Sequence, residues 1–332
     1  MKRTFLSFFC LVMAAVSLFA DTKVYNCYGM KLREKDGSYV VSGIKAYKSF
    51  GIDVRTLPDV NTPYKPRYSC LDKSTYETVE TEDMVYKTGK TGEELHLIMY
   101  KANVANAPIV FFIHGGGWTA GKYTTTPKYF KTMAGKYGIT VVSIEYTFAT
   151  VPGARAEDTI QDCYDAVDFI LNDARKYDIN PKRVGFVGSS AGGHLSAMCA
   201  LHFPQTKAYV GWYGAYDMVY TMGIYAPASN ESRYNLLKSY FNDWDMEYVK
   251  SVSPVEVARS MKKIPFKAVL FAGTADITIG YQNAPNFAAA LKVGGVKKVE
   301  VETYPNVVHG MFRAYCGNEI YQKTLNFFAG NL

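Results

Sequence analysis

Residues 183–201 read RVGFVGSSAGGHLSAMCAL, and this stretch decides the fold. Its opening residues predict a short buried strand, and its last eleven, which are small and mostly apolar, predict a tightly packed helix. Between them, Gly188 and Gly192 each stand two residues from Ser190. Side chains at these positions would collide in a sharp turn from strand to helix, which explains the glycines. We therefore expect the Ser190 hydroxyl to stand above a sheet, at a helix N-terminus.

Apolar runs continue the pattern on both sides of this stretch. Pro108–Ile113 and Thr140–Tyr146 precede it, and each is apolar enough for a strand buried on both faces. Further strands are predicted at Tyr76–Tyr86, Glu94–Ala102, Ala208–Trp212, Phe266–Phe271 and Lys298–Tyr304. Helices are predicted at Glu157–Lys176, Asn283–Val293 and Asn318–Phe328. This alternation predicts an α/β fold with a doubly wound, mostly parallel sheet over residues 76–332.

One segment interrupts the alternation. Residues 214–263 are tyrosine-rich and longer than an ordinary connection, so we interpret them as a small lid over the strand ends. Six tyrosines of this segment are candidates for stacking on sugar rings: Tyr216, Tyr220, Tyr225, Tyr234, Tyr240 and Tyr248. For any single one of them, packing of the lid onto the core is the favoured interpretation, and stacking is the hypothesis for one or two that line the cleft.

A second glycine-rich turn follows the run that ends at Ile113. In the sequence HGGGW, which starts at His114, Gly115, Gly116 and Gly117 expose backbone N–H groups with no side chain in the way. Two of these N–H groups, with that of Ala191, are predicted to form an oxyanion hole.

The same turn has two competing interpretations. Gly115, Gly117 and Ala120 match a dinucleotide-binding fingerprint, and Glu145 ends the following strand. This alternative stays open, although it leaves the glycines around Ser190 unexplained. A phosphate-loop match fails because Tyr123 stands where a magnesium-binding hydroxyl is needed.

A nucleophilic serine needs a base, and the base needs an orienting acid. Of the five histidines, only His309 lies late in the chain, after the last predicted strand, so it is the predicted base. His194 lies on the helix that follows Ser190 and points along its flank. Asp276 follows a buried strand and is the predicted acid, with Asp217 after the preceding strand as the alternative.

The N-terminus is typical of an export signal. Lys2 and Arg3 precede an apolar run over Phe5–Phe19, and Ala20 is a small residue suited to cleavage. This run suits a signal peptide over residues 1–20 better than a membrane span, so we predict a secreted or periplasmic protein without a span after cleavage. Residues 21–75 form an N-terminal extension to which the sequence assigns no role.

Composition excludes several functional classes. The chain has 332 residues, of which 48% are hydrophobic and 20% charged, which is typical of a globular protein. The formal net charge of +7 comes from scattered residues, so no nucleic-acid surface is predicted. None of the six cysteines forms a C-x-x-C pair. We expect no metal or organic cofactor, and either a Cys27–Cys70 disulfide or free buried thiols.

Six segments together resemble the α/β-hydrolase esterases close to hormone-sensitive lipase and the bacterial acetyl esterases. In chain order they are His114–Trp118, Gly188–His194, Tyr213–Asp217, Ser253-Pro254, Gly273–Asp276 and His309–Phe312. The resemblance implies Ser190 as nucleophile, Asp276 as acid and His309 as base, with an oxyanion hole from the glycine-rich turn and Ala191. One departure is Ala272, where many relatives have histidine; the other is the loop Tyr146–Arg155, which lacks the usual arginine after its tyrosine.

These observations predict an exported serine carboxylic-ester hydrolase that acts through an acyl-enzyme on short-chain esters, with acetylated plant polysaccharide as a candidate substrate. An arylformamidase would use the same three residues on an amide. A serine peptidase of the prolyl-oligopeptidase type would need an N-terminal propeller, for which the segment before the core is too short. A non-catalytic binding module of this fold would be expected to lack one of the three residues, and none is missing.

Overall fold

The computed structural model describes residues 24–27, 30–35, 38–41, 44–47, 69–225, 231–305, 307–313 and 316–332. The predicted signal peptide lies outside these residues. The strands are β1 (Val24–Cys27), β2 (Met30–Lys35), β3 (Ser38–Val41), β4 (Ile44–Tyr47), β5 (Thr81–Thr88), β6 (Glu94–Tyr100), β7 (Ala107–Ile113), β8 (Thr140–Ile144), β9 (Ile179–Ser189), β10 (Thr206–Trp212), β11 (Lys267–Gly273) and β12 (Val299–Tyr304).

The helices alternate with these strands from β7 onward. They are α1 (Pro127–Tyr137), α2 (Ala156–Asn172), α3 (Ala191–His202), α4 (Met218–Tyr225), α5 (Glu231–Tyr240), α6 (Met246–Ser251), α7 (Pro254–Ser260), α8 (Asn283–Val293) and α9 (Gly317–Ala329). Short 3-10 turns lie at Lys73–Thr75, Asn242–Trp244 and Met311–Arg313.

The predicted α/β fold is confirmed. Eight strands form one sheet in the order β12-β11-β10-β9-β7-β8-β6-β5. The six strands from β12 to β8 run parallel, whereas β6 and β5 are antiparallel to their neighbours. Because parallel strands point their carboxyl ends to one edge, the loops after β7, β9, β10, β11 and β12 meet there.

Helices cover both faces of the sheet, which explains the unbroken apolar runs in its central strands. All seven residues of β7 are buried. Its side chains alternate, so that Phe111 belongs to the core cluster that includes residues of α2, α3 and α8, while Phe112 belongs to the cluster that includes residues of α1 and α9. Burial of apolar side chains on both faces is the main favourable term that holds such a sheet together.

Several predicted boundaries move in the structure. The strand predicted at Tyr76–Tyr86 begins only at Thr81, because residues before it turn, with the Val79 N–H bonded to the Thr75 carbonyl. Strand β9 begins four residues earlier than predicted, at Ile179. Helix α1 was absent from the prediction. Its buried residues are Tyr129, Phe130, Thr132, Met133 and Ala134.

Part of the predicted N-terminal extension also has regular structure. Strands β1 to β4 form a separate antiparallel sheet in sequence order. Cys70, Cys163, Cys199 and Cys316 are free and buried, so Cys70 is not paired with Cys27 and the free-thiol alternative holds for these four. Within the described residues, no helix has the length and hydrophobicity needed to cross a bilayer.

Candidate active site

The turn between β9 and α3 holds Ser190 in a strained conformation. Its φ of 56° lies in the left-handed region that side chains rarely adopt. A Cβ at Gly188 would lie 2.1 Å from the carbonyl oxygen of Gly192, and a Cβ at Gly192 would lie 2.1 Å from that of Ile113. Both positions therefore require glycine: Gly188 because of the turn itself, as the sequence indicates, and Gly192 because the end of β7 lies against it.

The structure brings Ser190, His309 and Asp276 into one hydrogen-bonded chain. The Ser190 Oγ lies 2.8 Å from His309 Nε2, and His309 Nδ1 lies 2.7 Å from Asp276 Oδ2. A carboxylate only accepts, so Nδ1 carries the proton and Nε2 is left to accept from the serine hydroxyl. The ring is thus held in the tautomer that can take a proton from Ser190.

Backbone donors fix the carboxylate of Asp276. Its Oδ1 accepts the N–H groups of Thr278 and Ile279 at 2.9 and 3.1 Å, which leaves Oδ2 for His309. The side chain is only 4% exposed. Each oxygen therefore has an assigned partner, and the carboxylate cannot rotate without losing a bond.

Asp217, the alternative acid, has other partners. Its Oδ1 accepts the Tyr220 N–H at 3.0 Å, at the start of α4, and its Oδ2 accepts the Asn286 amide at 2.7 Å. Asp217 therefore caps the start of α4 and ties this helix to α8.

The glycine-rich turn after β7 lies against the Ser190 turn. A Cβ at Gly115 would lie 2.7 Å from the Ser189 carbonyl oxygen, and Gly116 and Gly117 have φ values of 137° and 60°. Gly115, Gly116 and Gly117 all line the cleft that contains Ser190. Ala191 begins α3 directly after Ser190, so its N–H points from a helix N-terminus.

The dinucleotide interpretation of this turn fails on geometry. In that motif the glycine turn leads straight into a helix whose N-terminus holds the pyrophosphate. Here the next helix, α1, starts only at Pro127. The space next to the Gly116 backbone is also occupied by the Ala120 carbonyl group, whose oxygen would lie 1.6 Å from a Cβ added at Gly116.

His114 serves the turn rather than the proton transfer. Its ring is 2% exposed and stacks on Tyr146 with centroids 4.4 Å apart. Burial lowers the pKa of His114 to about 4, so the ring is neutral near pH 7. Its Nδ1 donates to the Gly115 carbonyl at 2.8 Å, which helps to hold the first glycine of the turn.

The cleft around Ser190 has a volume of about 650 Å³. Its aromatic walls come from Phe112, Trp212, Tyr213, Phe312 and Tyr321. Lys122 adds the one ammonium group among the described lining residues. The sequence missed these walls, although Tyr213 follows the end of β10 directly, at the edge of the sheet where sites form.

The sugar-stacking interpretation is wrong for Tyr216 and Tyr240, whose side chains are fully buried, and it stays a prediction for the other lid tyrosines. No described residue of 214–263 lines the cleft. Tyr216 stacks on Phe287 and Tyr240 packs against Phe241, both fully buried, while Tyr248 accepts the Glu157 N–H. These three rings attach the segment to the core. The structure does not describe the side chain of Tyr225.

No cluster of three or more histidine, cysteine, aspartate or glutamate side chains in the described part of the chain is arranged to hold a metal ion.

Comparison with known proteins identifies the family of the chain. The BD-FAE family model matches residues 95–291, more than half of the chain. An acetyl esterase of Salmonella schwarzengrund is 28% identical over 127 residues, which cover 36% of this chain and 39% of that protein. An alpha/beta hydrolase homologue from Acanthamoeba polyphaga mimivirus is 28% identical over 130 residues, 39% of this chain and 36% of its own. The chain thus aligns with less than half the length of these curated relatives.

Solved structures extend the likeness to the whole core. A thermophilic esterase from Thermogutta terrifontis, solved with propionate bound, is 25% identical with a TM-score of 0.59, and the match covers 74% of this chain and 91% of that one. A hyperthermophilic esterase from Pyrobaculum calidifontis has the same fold, with a TM-score of 0.62 at 22% identity over 76% of this chain and 85% of that one.

Proposed function

The chain belongs to the BD-FAE family of α/β-hydrolase esterases, and from that premise we propose that it is a serine carboxylic-ester hydrolase that works through a covalent acyl-enzyme. The observation that carries the proposal is the chain of hydrogen bonds of 2.8 and 2.7 Å that links Ser190, His309 and Asp276. Family membership supports the reaction class, and this geometry supports the serine mechanism.

The first half of the reaction follows from the proton positions. His309 Nε2 takes the Ser190 proton as Oγ attacks the ester carbonyl, and the Asp276 carboxylate stabilises the imidazolium that forms. The backbone N–H groups of the glycine-rich turn and of Ala191 bind the oxyanion of the tetrahedral intermediate. His309 then protonates the departing alcohol, which leaves the acyl group on Ser190.

The second half repeats these steps with water. His309 removes a proton from a water molecule that attacks the acyl-enzyme, and the same N–H groups stabilise the second tetrahedral intermediate. Collapse returns the proton to Ser190 Oγ and releases the carboxylic acid.

We assign short acyl esters as substrates. The support is the acetyl esterase among the relatives, the propionate bound to the Thermogutta esterase, and a cleft of about 650 Å³ beside Ser190. Acetylated plant polysaccharide and an exported location belong to the same proposal. They rest on the apolar N-terminal run and on analogy, since no described residue of 214–263 lines the cleft around Ser190.

Labelling with a fluorophosphonate tests the nucleophile. The probe should modify Ser190 in the wild type and in Ser189→Ala, and it should not modify Ser190→Ala, which should also lose ester hydrolysis while staying folded. Modification of Ser189, or full activity in Ser190→Ala, would refute the mechanism.

A substrate panel tests the chemical class. p-Nitrophenyl esters of two to twelve carbons, acetylated xylan and N-formylkynurenine separate the options. We expect kcat/KM to be highest for acetyl and propionyl esters. A steady rise with acyl length would contradict the short-chain assignment, and N-formylkynurenine as the best substrate would favour the amide hydrolase.

A further inference from the structure

His194 lies one helical turn after Ser190 and uses both of its ring nitrogens. Its side chain is fully buried. Nδ1 accepts the indole N–H of Trp118 at 3.1 Å, and Nε2 donates to the Val252 carbonyl at 2.7 Å. His194 therefore joins three parts of the molecule: helix α3, the glycine-rich turn and the segment 214–263.

The two bonds require one protonation state of the ring. A carbonyl only accepts, so Nε2 carries the hydrogen, and Nδ1 must be bare to accept from Trp118. Burial favours the uncharged form and lowers the pKa of His194 to about 4. Near pH 7 the ring is thus a neutral connector with a fixed tautomer and does not exchange protons with substrate.

Trp118 follows the last glycine of the turn in a backbone conformation that needs support. Its φ is 59°, a left-handed value that is costly for a bulky side chain. Its carbonyl accepts the Ala149 N–H at 2.7 Å, and its fully buried ring packs edge-on against Phe241. The bond to His194 is the polar contact that fixes the direction of the indole ring.

We propose that His194 is a positioning residue for the oxyanion hole: through Trp118 it fixes the backbone N–H groups of Gly116 and Gly117 relative to Ser190. The inference rests on the proposed function, because it assigns these N–H groups to the tetrahedral intermediate. Because His194 also bonds the Val252 carbonyl, the position of the segment 214–263 affects where these N–H groups lie relative to Ser190.

His194→Phe removes both bonds and keeps an aromatic ring in the space. Removal of one oxyanion donor typically lowers kcat by about 10²–10³-fold. Displacement of the donors should cost less, so we expect kcat to fall by about 10- to 100-fold with KM changed less than about threefold. His194→Gln can both accept and donate, and it should recover a large part of kcat. A purely structural role would lower the melting temperature and leave kcat per folded site unchanged.

A matched control lies on the same helix. His202 is exposed at the end of α3 and stacks on Tyr164 away from the cleft, so His202→Phe should keep wild-type kcat and KM. Affinity for a boronic acid that forms a tetrahedral adduct should fall in parallel with kcat in His194→Phe, and not in His202→Phe.

A double-mutant cycle isolates the bond between the two rings. If His194 acts through Trp118, the kcat of His194→Phe/Trp118→Phe should equal that of the worse single variant, because each change removes the same connection. Losses that multiply, or wild-type kcat in His194→Phe, would overturn the proposal. If His194→Phe does not fold, Trp118→Phe removes the same bond from its other partner and should show the same fall in kcat, and wild-type kcat in Trp118→Phe would then overturn the proposal.

The outcome is separable from that of the proposed function. An active Ser190→Ala would refute the serine mechanism itself. An inactive Ser190→Ala combined with a normal His194→Phe would refute only the role of His194.

Discussion

Asp276→Asn is the sharpest perturbation of the site, because the surroundings dictate how the amide must turn. Two backbone N–H groups, from Thr278 and Ile279, hold Oδ1 at 2.9 and 3.1 Å. The amide oxygen must stay with these donors, so the NH2 group has to face His309 Nδ1. An NH2 group and a protonated Nδ1 are both donors and cannot form a hydrogen bond with each other. Nδ1 therefore has to lose its hydrogen and accept one from the NH2 group. The ring proton then moves to Nε2, where it blocks transfer from Ser190.

The expected loss is large and appears in kcat. The equivalent change in a serine protease lowers kcat by about 10⁴-fold, which corresponds to about 5 kcal/mol of transition-state stabilisation. We expect a similar loss here, because the same tautomer is trapped. KM should change little, since the carboxylate acts on the imidazolium that forms during attack.

Asp217→Asn is the matched control. Its carboxylate caps α4 and bonds Asn286, and asparagine caps a helix about as well as aspartate, so the substitution should cost less than the roughly 0.5–2 kcal/mol of losing a cap and leave kcat near that of the wild type. Steady-state hydrolysis of p-nitrophenyl acetate, with circular dichroism to verify folding, measures both variants. A crippled Asp217→Asn beside a nearly normal Asp276→Asn would refute the reasoning.

Three further predictions use the same structure. The pKa values of His114 and His194 are about 4 in the folded protein against 6.5 in the unfolded chain, so the unfolded state binds protons first as pH falls. The free energy of unfolding, measured by urea denaturation, should therefore be lower at pH 5 than at pH 7.5 by about 2 kcal/mol per histidine. The total decrease should be smaller in His194→Gln. Gly192→Ala should unfold more easily by about 1–3 kcal/mol and lose activity, whereas Gly223→Ala, with open space around it, should not; equal melting temperatures would contradict this. Lys122→Gln should raise KM for an ester that carries a carboxylate and spare a neutral one, and equal changes would exclude an electrostatic role.

The parts that the sequence predicted well are those with a local physical cause. The turn around Ser190 was predictable in part because the collision that requires glycine at Gly188 is with Gly192, close along the chain, whereas the collision at Gly192 is with Ile113 on another strand. The choice between Asp276 and Asp217 was harder. Both follow buried strands, and only the tertiary structure shows which carboxylate meets His309.

The functions of aromatic residues were the least predictable. A tyrosine in a tyrosine-rich segment suits both a binding surface and a buried interface, and local sequence does not distinguish them. Tyr216 and Tyr240 proved to be buried, whereas Tyr321, on a distant helix, lines the cleft. Depth below the surface is set by how separate elements pack, so it is not encoded at any one position.

The strained residues of the site share one structural support. Ser190 and Tyr213, with φ values of 56° and 41°, each stand one residue beyond the end of a strand. The Ser190 N–H bonds the Trp212 carbonyl at 3.0 Å, and the Tyr213 N–H bonds the Phe271 carbonyl at 2.8 Å. The hydrogen-bond ladder of the parallel sheet thus extends one step past β9 and past β10.

This extension continues to the loop that carries the acid. The Thr274 N–H bonds the Tyr304 carbonyl at 3.0 Å, so the end of β11 is tied to β12 in the same way, two residues before Asp276. A strained non-glycine residue costs about 1–3 kcal/mol and persists only where its surroundings over-determine it. Here each strained residue donates to the neighbouring strand, whose buried core holds the acceptor in place. The sheet therefore holds the serine and the acid loop at a fixed separation, and His309 bridges them through two short hydrogen bonds.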